Sequence, residues 1–575
     1  MKFLVKTLLW LVLLVAVIAG IGREYVLKIW GGRDALLKQV IVSKLHDVLP
    51  DATIEFDEPR YDFGHEISIT GFSLRPADQE IPIVKLPESV VHLDRDALID
   101  RHQVEILKVT LRSPQLEVVR NRNGKWNWQS LLPPPKMGKG ALPEIVIEDG
   151  TITVRVEQAL GIPAGVLVLE HVDVSLVPSG HRQYLITAES KCEQTGGIKV
   201  AGRWHVDQQT GQLDGEFTEI HAGQELVGVA ASFAPEVRSK FEEWEAKLWE
   251  VLSQPPDPKN ASPFSLSLPA NNNISPAGHQ VAGIDPLHNK GSLGSADSVF
   301  GLKATCNLRF RVLRPDTNVT PVFRVLLHII DGQITNPILP FPLEKLGGEL
   351  YADNDNFEVR KLSAENGVTK VSVDGKLTGR EAGYPGKFEI GLSNLVCDAR
   401  IRSRLSAGFG RLYDDHHPIG DVDLHCFVVH DTDGKWRPEE FLATAKDCSI
   451  YHEAFPYLVE HANGTIRQDG RNLIIEATGL ASGRPIALSG IVEQPGPNAN
   501  LTLDINVKDL PFDETFLRAL KPDLQTTFRR MQLTGVMNGI VHLTKAPKQP
   551  LVPTIEATLR NGSLTWMRFP IASKG

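Results

Sequence analysis

Asp331-Gly332-Gln333-Ile334, Pro340-Phe341-Pro342-Leu343, Gly347-Gly348-Glu349-Leu350, Asp353-Asn354-Asp355-Asn356 and Val371-Ser372-Val373-Asp374-Gly375 follow one another in the chain, and the series is then written again. The second copy reads Asp447-Cys448-Ser449-Ile450, Phe455-Pro456-Tyr457-Leu458, Asn463-Gly464-Thr465-Ile466, Asp469-Gly470 and Ile486-Ala487-Leu488-Ser489-Gly490. Asn561-Gly562-Ser563-Leu564, with Phe569-Pro570 behind it, opens a third. The steps from Asp331 to Asp447, Gly375 to Gly490 and Asp447 to Asn561 are 116, 115 and 114 residues. A period that steady marks one structural unit stacked on its own copies, not a set of unrelated domains.

Inside the copies the apolar residues alternate. Val371 and Val373, then Phe388, Ile390 and Leu392, then Leu501, Leu503, Ile505 and Val507 are each separated by single, mostly polar residues. Such a period of two gives a strand one apolar and one wet face. Short amphipathic helices are predicted over Phe512–Leu520, over Ala399–Leu405 and over Val237–Leu252, and Gly535 and Gly420 restart strands after the first two. Upstream, Glu148-Asp149-Gly150-Thr151-Ile152 matches the opening of a copy, and Ile152, Val154 and Val156 alternate behind it, but Asp149 stands 182 residues before Asp331. The surplus of 67 over the 115-residue period has a home in a predicted helix over Pro235–Gln254 and the Pro, Asn, Ser and Gly tract of Pro255–Ser298, which cannot bury enough surface to fold. The expected organisation is an anchor and flank (1–30), an α+β module (31–140), a first copy (141–330) interrupted at 235–298, copies at 331–446 and 447–560, and a fresh start at 561–575.

At the N-terminus a basic flank, Met1 to Lys6, precedes an uncharged run from Thr7 to Gly22. That reads as a single membrane span with Tyr25 and Trp30 at the interface, or as a signal peptide cleaved after Val17-Ile18-Ala19; both export the rest of the chain. A helix is expected from Arg33 to Leu49, stopped by Pro50, and strands thereafter. A net charge of −9 over 575 residues, with no stripe of Lys and Arg, gives no footprint for nucleic acid. The five scattered cysteines have no CxxC spacing and read as apolar thiols.

The sequence contains no HExxH, GxSxG, phosphate-binding loop or dinucleotide fingerprint, so neither a catalytic group nor a cofactor is expected. Asp414-Asp415-His416-His417 reads as a surface turn, since adjacent residues of one loop seldom converge on a metal. Glu439 and Glu440, after Pro438, are expected to open a short helix whose dipole they complement. Gly124-Lys125-Trp126 and Gly434-Lys435-Trp436 read as a shared turn.

The passage Val109 to Trp128, in which a strand, Pro114, a second strand and Gly124-Lys125-Trp126-Asn127-Trp128 lead to Leu131-Leu132-Pro133, resembles the start of AsmA-family proteins. The likeness covers residues 1 to about 135 and continues more loosely through the repeats. It implies a mainly β protein: an N-terminal transmembrane helix, then an elongated β-groove made from a curled antiparallel sheet, with short amphipathic helices between repeats. It further implies an inner-membrane anchor with the bulk in the periplasm, and a groove that moves phospholipid towards the outer membrane. On that reading acyl chains lie on Ile152, Val154, Val156, Val371, Val373, Phe388, Ile390, Leu392, Leu501, Leu503, Ile505 and Val507. Two alternatives stay open: a scaffold that captures outer-membrane protein strands at its sheet edges, and a β-repeat enzyme acting on polysaccharide.

Overall fold

The computed structural model describes residues within 52–222 and 302–574, apart from short stretches, chiefly 101–104, 128–140, 158–164, 403–412 and 495–498. The expected span, the helix at 33–49, Leu131-Leu132-Pro133 and the insertion at 235–298 lie outside the described residues. Strands dominate: twenty-six are described, against four short helices. The residues divide into two compact units, one within Met1–Glu242, Leu293–Gln333 and Gly347–Asp355, the other within Ile334–Leu346 and Asn356–Gly575.

The first unit begins with β1 (Ala52–Glu55), β2 (Arg60–Asp62), β3 (Glu66–Pro76), β4 (Val84–Leu93), the helix α1 (Arg95–Asp100), β5 (Ile106–Arg112) and β6 (Gln115–Arg120). β1 and β2 both pair with β3, while β5 and β6 run parallel to β7 (Glu144–Val156), the only parallel ladders described. Ile69, Phe72, Leu74, Val109, Leu111, Val118 and Ile145 fill a closed core there, each at most 1 % exposed. The Trp-Asn turn serves this architecture: Asn121 Oδ1 accepts from the backbone N–H groups of Asn123 and Lys125, and Asn127 Nδ2 donates to the Glu117 carbonyl at 2.8 Å. Antiparallel strands follow: β8 (Gly165–Pro178), β9 (Gln183–Cys192), β10 (Thr195–His205), β11 (Thr210–Ala222), β12 (Leu302–Arg314) and β13 (Val322–Ile334).

The copies now have a structural definition. One comprises β13, β14 (Glu344–Asp353), β15 (Asn356–Asn366), β16 (Thr369–Thr378), β17 (Gly386–Cys397), the helix α2 (Ala399–Arg402) and β18 (Ile419–His430). The next comprises β19 (Trp436–His452), β20 (Phe455–Asp469), β21 (Asn472–Ala481), β22 (Arg484–Glu493), β23 (Asn500–Pro511), the helices α3 (Glu514–Ala519) and α4 (Pro522–Met531), and β24 (Thr534–Lys545). β25 (Val552–Trp566) and β26 (Phe569–Lys574) open another. Each full copy is thus five strands, a helical connection and a sixth strand, and β7 to β12 follow the same count.

Asp149, Asp447 and Asn561 do not begin strands; they lie inside β7, β19 and β25 at φ +54°, +51° and +48°. These are bulges, where a left-handed residue bends the strand and frees an N–H. A carboxylate or amide on the neighbouring strand accepts that N–H: Asp149 donates to Asp173 Oδ1 at 2.9 Å and Asp447 to Asn463 Oδ1 at 3.0 Å. The fifth strands repeat the device, with Glu219 donating to Asn307 at 2.8 Å, Asn394 to Asp423 at 2.8 Å and Asp509 to Asn538 at 2.5 Å.

Two expectations change. Pro438 to Glu440 do not open a helix; they lie within β19, where Pro438 pairs with Val428 and Glu440 with Phe427 across a register shift. A long partner strand overrides the local dipole signal, and Pro is tolerated at such an irregularity. Where a single helix was expected before Gly535, at Phe512–Leu520 and observed as α3, the chain makes a second one, α4.

Candidate functional site

Register in the second unit sets its apolar residues in lines across the strands. One row passes Ala364, Val371, Leu392, Leu424, Ala443, Ile466, Ile475, Gly490, Leu503, Leu543 and Pro553, each directly opposite the next, through β15 to β25. A second row passes Leu395, Val422, Ala445, Gly464, Ala477, Leu488, Ile505, Val541 and Ile555. Neither row contains a polar side chain. Ten inter-strand steps carry the first row roughly 48 Å along the sheet surface.

Small residues recur on this face because the neighbouring strand's side chains lie flat across it. A Cβ on Gly375 would stand 2.2 Å from the Phe388 ring, and one on Gly490 would stand 2.3 Å from both Leu503 Cδ2 and the Thr502 carbonyl. Gly375 and Gly490 hold equivalent places in the two copies, as do Phe388 and Leu503.

Over β20 to β24 the face is closed at both ends and half-buried between. At one end Phe516 and Ala519 of α3 pack on Tyr457, Ala481 and Leu510. Asp513 caps that helix by accepting from the Phe516 N–H at 2.8 Å, which fixes its entry over the strands. At the other end Leu473, Val492, Ala499 and Leu501 form a second cluster, joined by Leu551. Between them Leu488, Leu503, Ile505, Leu543 and Val541 stay half-buried, outside the fully buried members of either cluster.

The opposite face is ionic. Lys376 meets Glu358 at 2.8 Å, His425 meets Glu389 at 2.7 Å, and Lys387 meets Glu439 at 2.7 Å while resting 3.9 Å from the Phe427 ring centre. Hydrogen bonds from Lys376 and Arg360 hold the Glu358 carboxyl below the usual carboxylate range, and the Lys446 and Asn394 donors do the same for Asp423. The sheet therefore sets an ionic side against an apolar one.

Eight of the twelve expected contact residues are half-buried on an apolar face, and Phe388 and Leu501, at 9 % and 8 % exposure, are buried on the same face of the second unit. Val371 pairs with Leu392 and Val373 with Ile390, Phe388 covers Gly375, and Leu501, Leu503, Ile505 and Val507 pair with Val492, Gly490, Leu488 and Ile486. Ile152 belongs to the first unit and is half-buried. Val154 and Val156 differ: at 3 % and 2 % exposure they are packed into that unit's closed core and offer no surface to a ligand. Alternation alone cannot separate a strand whose apolar face is covered from one whose face is open.

Elsewhere polar clusters resolve into structural contacts. Asp414 accepts two hydrogen bonds from Arg402 at 2.5 Å, His417 stacks on Tyr451 and His416 meets His452 edge-on. All five thiols are free, three of them buried, and burial pushes Cys397 up to about 11. Among the described residues no group of three or more His, Cys, Asp or Glu could hold a metal ion, and no helix is long and apolar enough to cross a membrane. In the first unit a concavity of about 530 Å³ is lined by Lys199, Asp214, Glu216, Arg309, Arg311 and Tyr351, among others, but Arg309 is already paired with Glu216 and Arg311 with Asp214.

No protein-family model matches the chain, and no curated protein is significantly similar to it.

Proposed function

We propose that the apolar face of the second unit carries phospholipid acyl chains, and that the protein is an inner-membrane-anchored periplasmic carrier supporting outer-membrane biogenesis without covalent chemistry. The observation that carries this reading is the pair of apolar rows: side chains in unbroken register across β15 to β25, half-buried along their middle, backed by an ionic face. A soluble sheet that leaves such a face partly open has an apolar partner to place there. Each methylene withdrawn from water contributes about 0.8 kcal/mol, and rows of similar side chains let a chain move from strand to strand without a deep trap. The N-terminal likeness to AsmA proteins and the basic-then-apolar start of the sequence support the anchor and the compartment.

The test is solvent extraction and mass spectrometry of the purified full chain, alone and with Leu503→Glu/Ile505→Glu. Both side chains are half-buried, so the variant is expected to fold and to lose bound lipid. A lipid-free wild-type protein, or a variant that keeps its lipid, overturns the reading.

A further inference from the structure

Lys545 ends β24 on the apolar face, directly opposite Leu501. It is 9 % exposed, the only side chain among the described residues that is both formally charged and buried. No carboxylate or other hydrogen-bond partner of its ammonium is found among the described residues, whereas Lys345, Lys376, Lys387 and Lys446 all have carboxylates. Two residues along the same strand and on the same face stands Leu543, a member of the first apolar row. Beside it lies the cluster of Leu473, Val492 and Leu501 that closes this end of the face.

The burial belongs to the stem: the Lys545 Nζ is not one of the buried side-chain nitrogens and oxygens that lack a partner, so the methylenes lie on the apolar surface while the ammonium reaches its rim, where an anion can meet it. We propose that Lys545 is the headgroup anchor of the apolar face, selecting amphiphiles that carry a phosphate. The phosphate oxygens meet the Lys545 Nζ in charge-assisted hydrogen bonds, and the chain runs from there over Leu543 and Leu503. The inference rests on the lipid reading above and adds to it a chemical class of ligand and a fixed end.

The experiment presents the full-length protein with vesicles holding equal amounts of phosphatidylglycerol and diacylglycerol, matched in chain length. Lipid retained by the re-isolated protein is then quantified. The wild type is expected to hold the anionic lipid at least about tenfold over the neutral one, equivalent to about 1.4 kcal/mol. Lys545→Met, which keeps the apolar stem and removes the charge, is expected to fold, to retain as much total lipid and to lose the preference; Lys545→Arg is expected to keep it. Equal retention of both lipids by the wild type, or an undiminished preference in Lys545→Met, overturns the anchor while leaving the lipid reading standing. Retention of neither lipid overturns both. Titration with inorganic phosphate alone distinguishes the source: no saturable binding is expected, and saturable binding lost in Lys545→Met would make this a site for free phosphate and refute the headgroup assignment.

Discussion

Gly375 and Phe388 offer the sharpest test of how the apolar face is built. All three atoms closest to a Cβ on Gly375 belong to the Phe388 ring, at 2.2, 2.5 and 2.8 Å, so a methyl group there collides with a side chain and not with backbone. Gly375→Ala forces the ring off its seat and is expected to cost about 2 kcal/mol, within the range for overpacking. Phe388→Ala removes a ring that is only 9 % exposed and is expected to cost about 3 kcal/mol, the low end for a buried aromatic. In the double variant the alanine methyl enters space the ring has vacated. Its cost is expected to fall short of the sum by at least about 1 kcal/mol. Hydrogen exchange of the β16 and β17 amides reads the opening free energy locally, which suits an array whose copies need not unfold together. The equivalent pair supplies the control: a Cβ on Gly490 meets the Thr502 carbonyl at 2.3 Å as well as Leu503, so Gly490→Ala/Leu503→Ala should stay close to additive. Additive costs at Gly375 and Phe388, or equal coupling at both pairs, would refute the account of the face as glycine positions roofed by neighbouring side chains.

Other outcomes follow from single contacts. Asn538→Ala strips the bulge N–H of Asp509 of its acceptor and should cost about 1–2 kcal/mol of local stability in β23, with Asp423→Ala doing the same to β17, both read by exchange. Glu358 and Asp423 are held below their ordinary range, so the stability they contribute is complete above the unfolded-state carboxylate value near about 4 and is lost as pH falls through their lower folded values. Melting temperature should accordingly drop as pH falls below about 4, less steeply in Glu358→Gln. Burial raises the Cys306, Cys397 and Cys448 thiols, so iodoacetamide at pH 8 should label them far more slowly in the native protein than in urea, by peptide mass spectrometry.

The period was legible because each copy carries the same bulge and turn chemistry, and alternation located strands such as Val371–Gly375 and Leu501–Lys508 on the correct face. Bulges were harder to recognise: Asp149 and Asp447 look like strand openings in sequence, since nothing local reveals the partner side chain that captures their N–H. Glu439 and Glu440 carried a helix signal that only β18, paired beside them, could overrule. Val154 and Leu503 look alike as alternating apolar residues, and what separates them, a covered face against an open one, is set by the closed core that only the first belongs to. Lys545 had no signature at all, because a lysine at a strand end is ordinary until its burial is known.

Six strands to a copy is an even number, and through β19 to β24 neighbours alternate in direction. The strand that opens the next copy therefore runs the same way as the one that opened the last, and the helical connection after each fifth strand leaves from the same edge. Tandem duplication or loss of a whole copy changes length by six spacings, roughly 29 Å, and reverses nothing. Loss of an odd number of strands would invert every strand beyond it and send the next helix to the opposite edge. For a chain of this design, one whole copy is a step in length that leaves the direction of every strand and the edge of every helix unchanged.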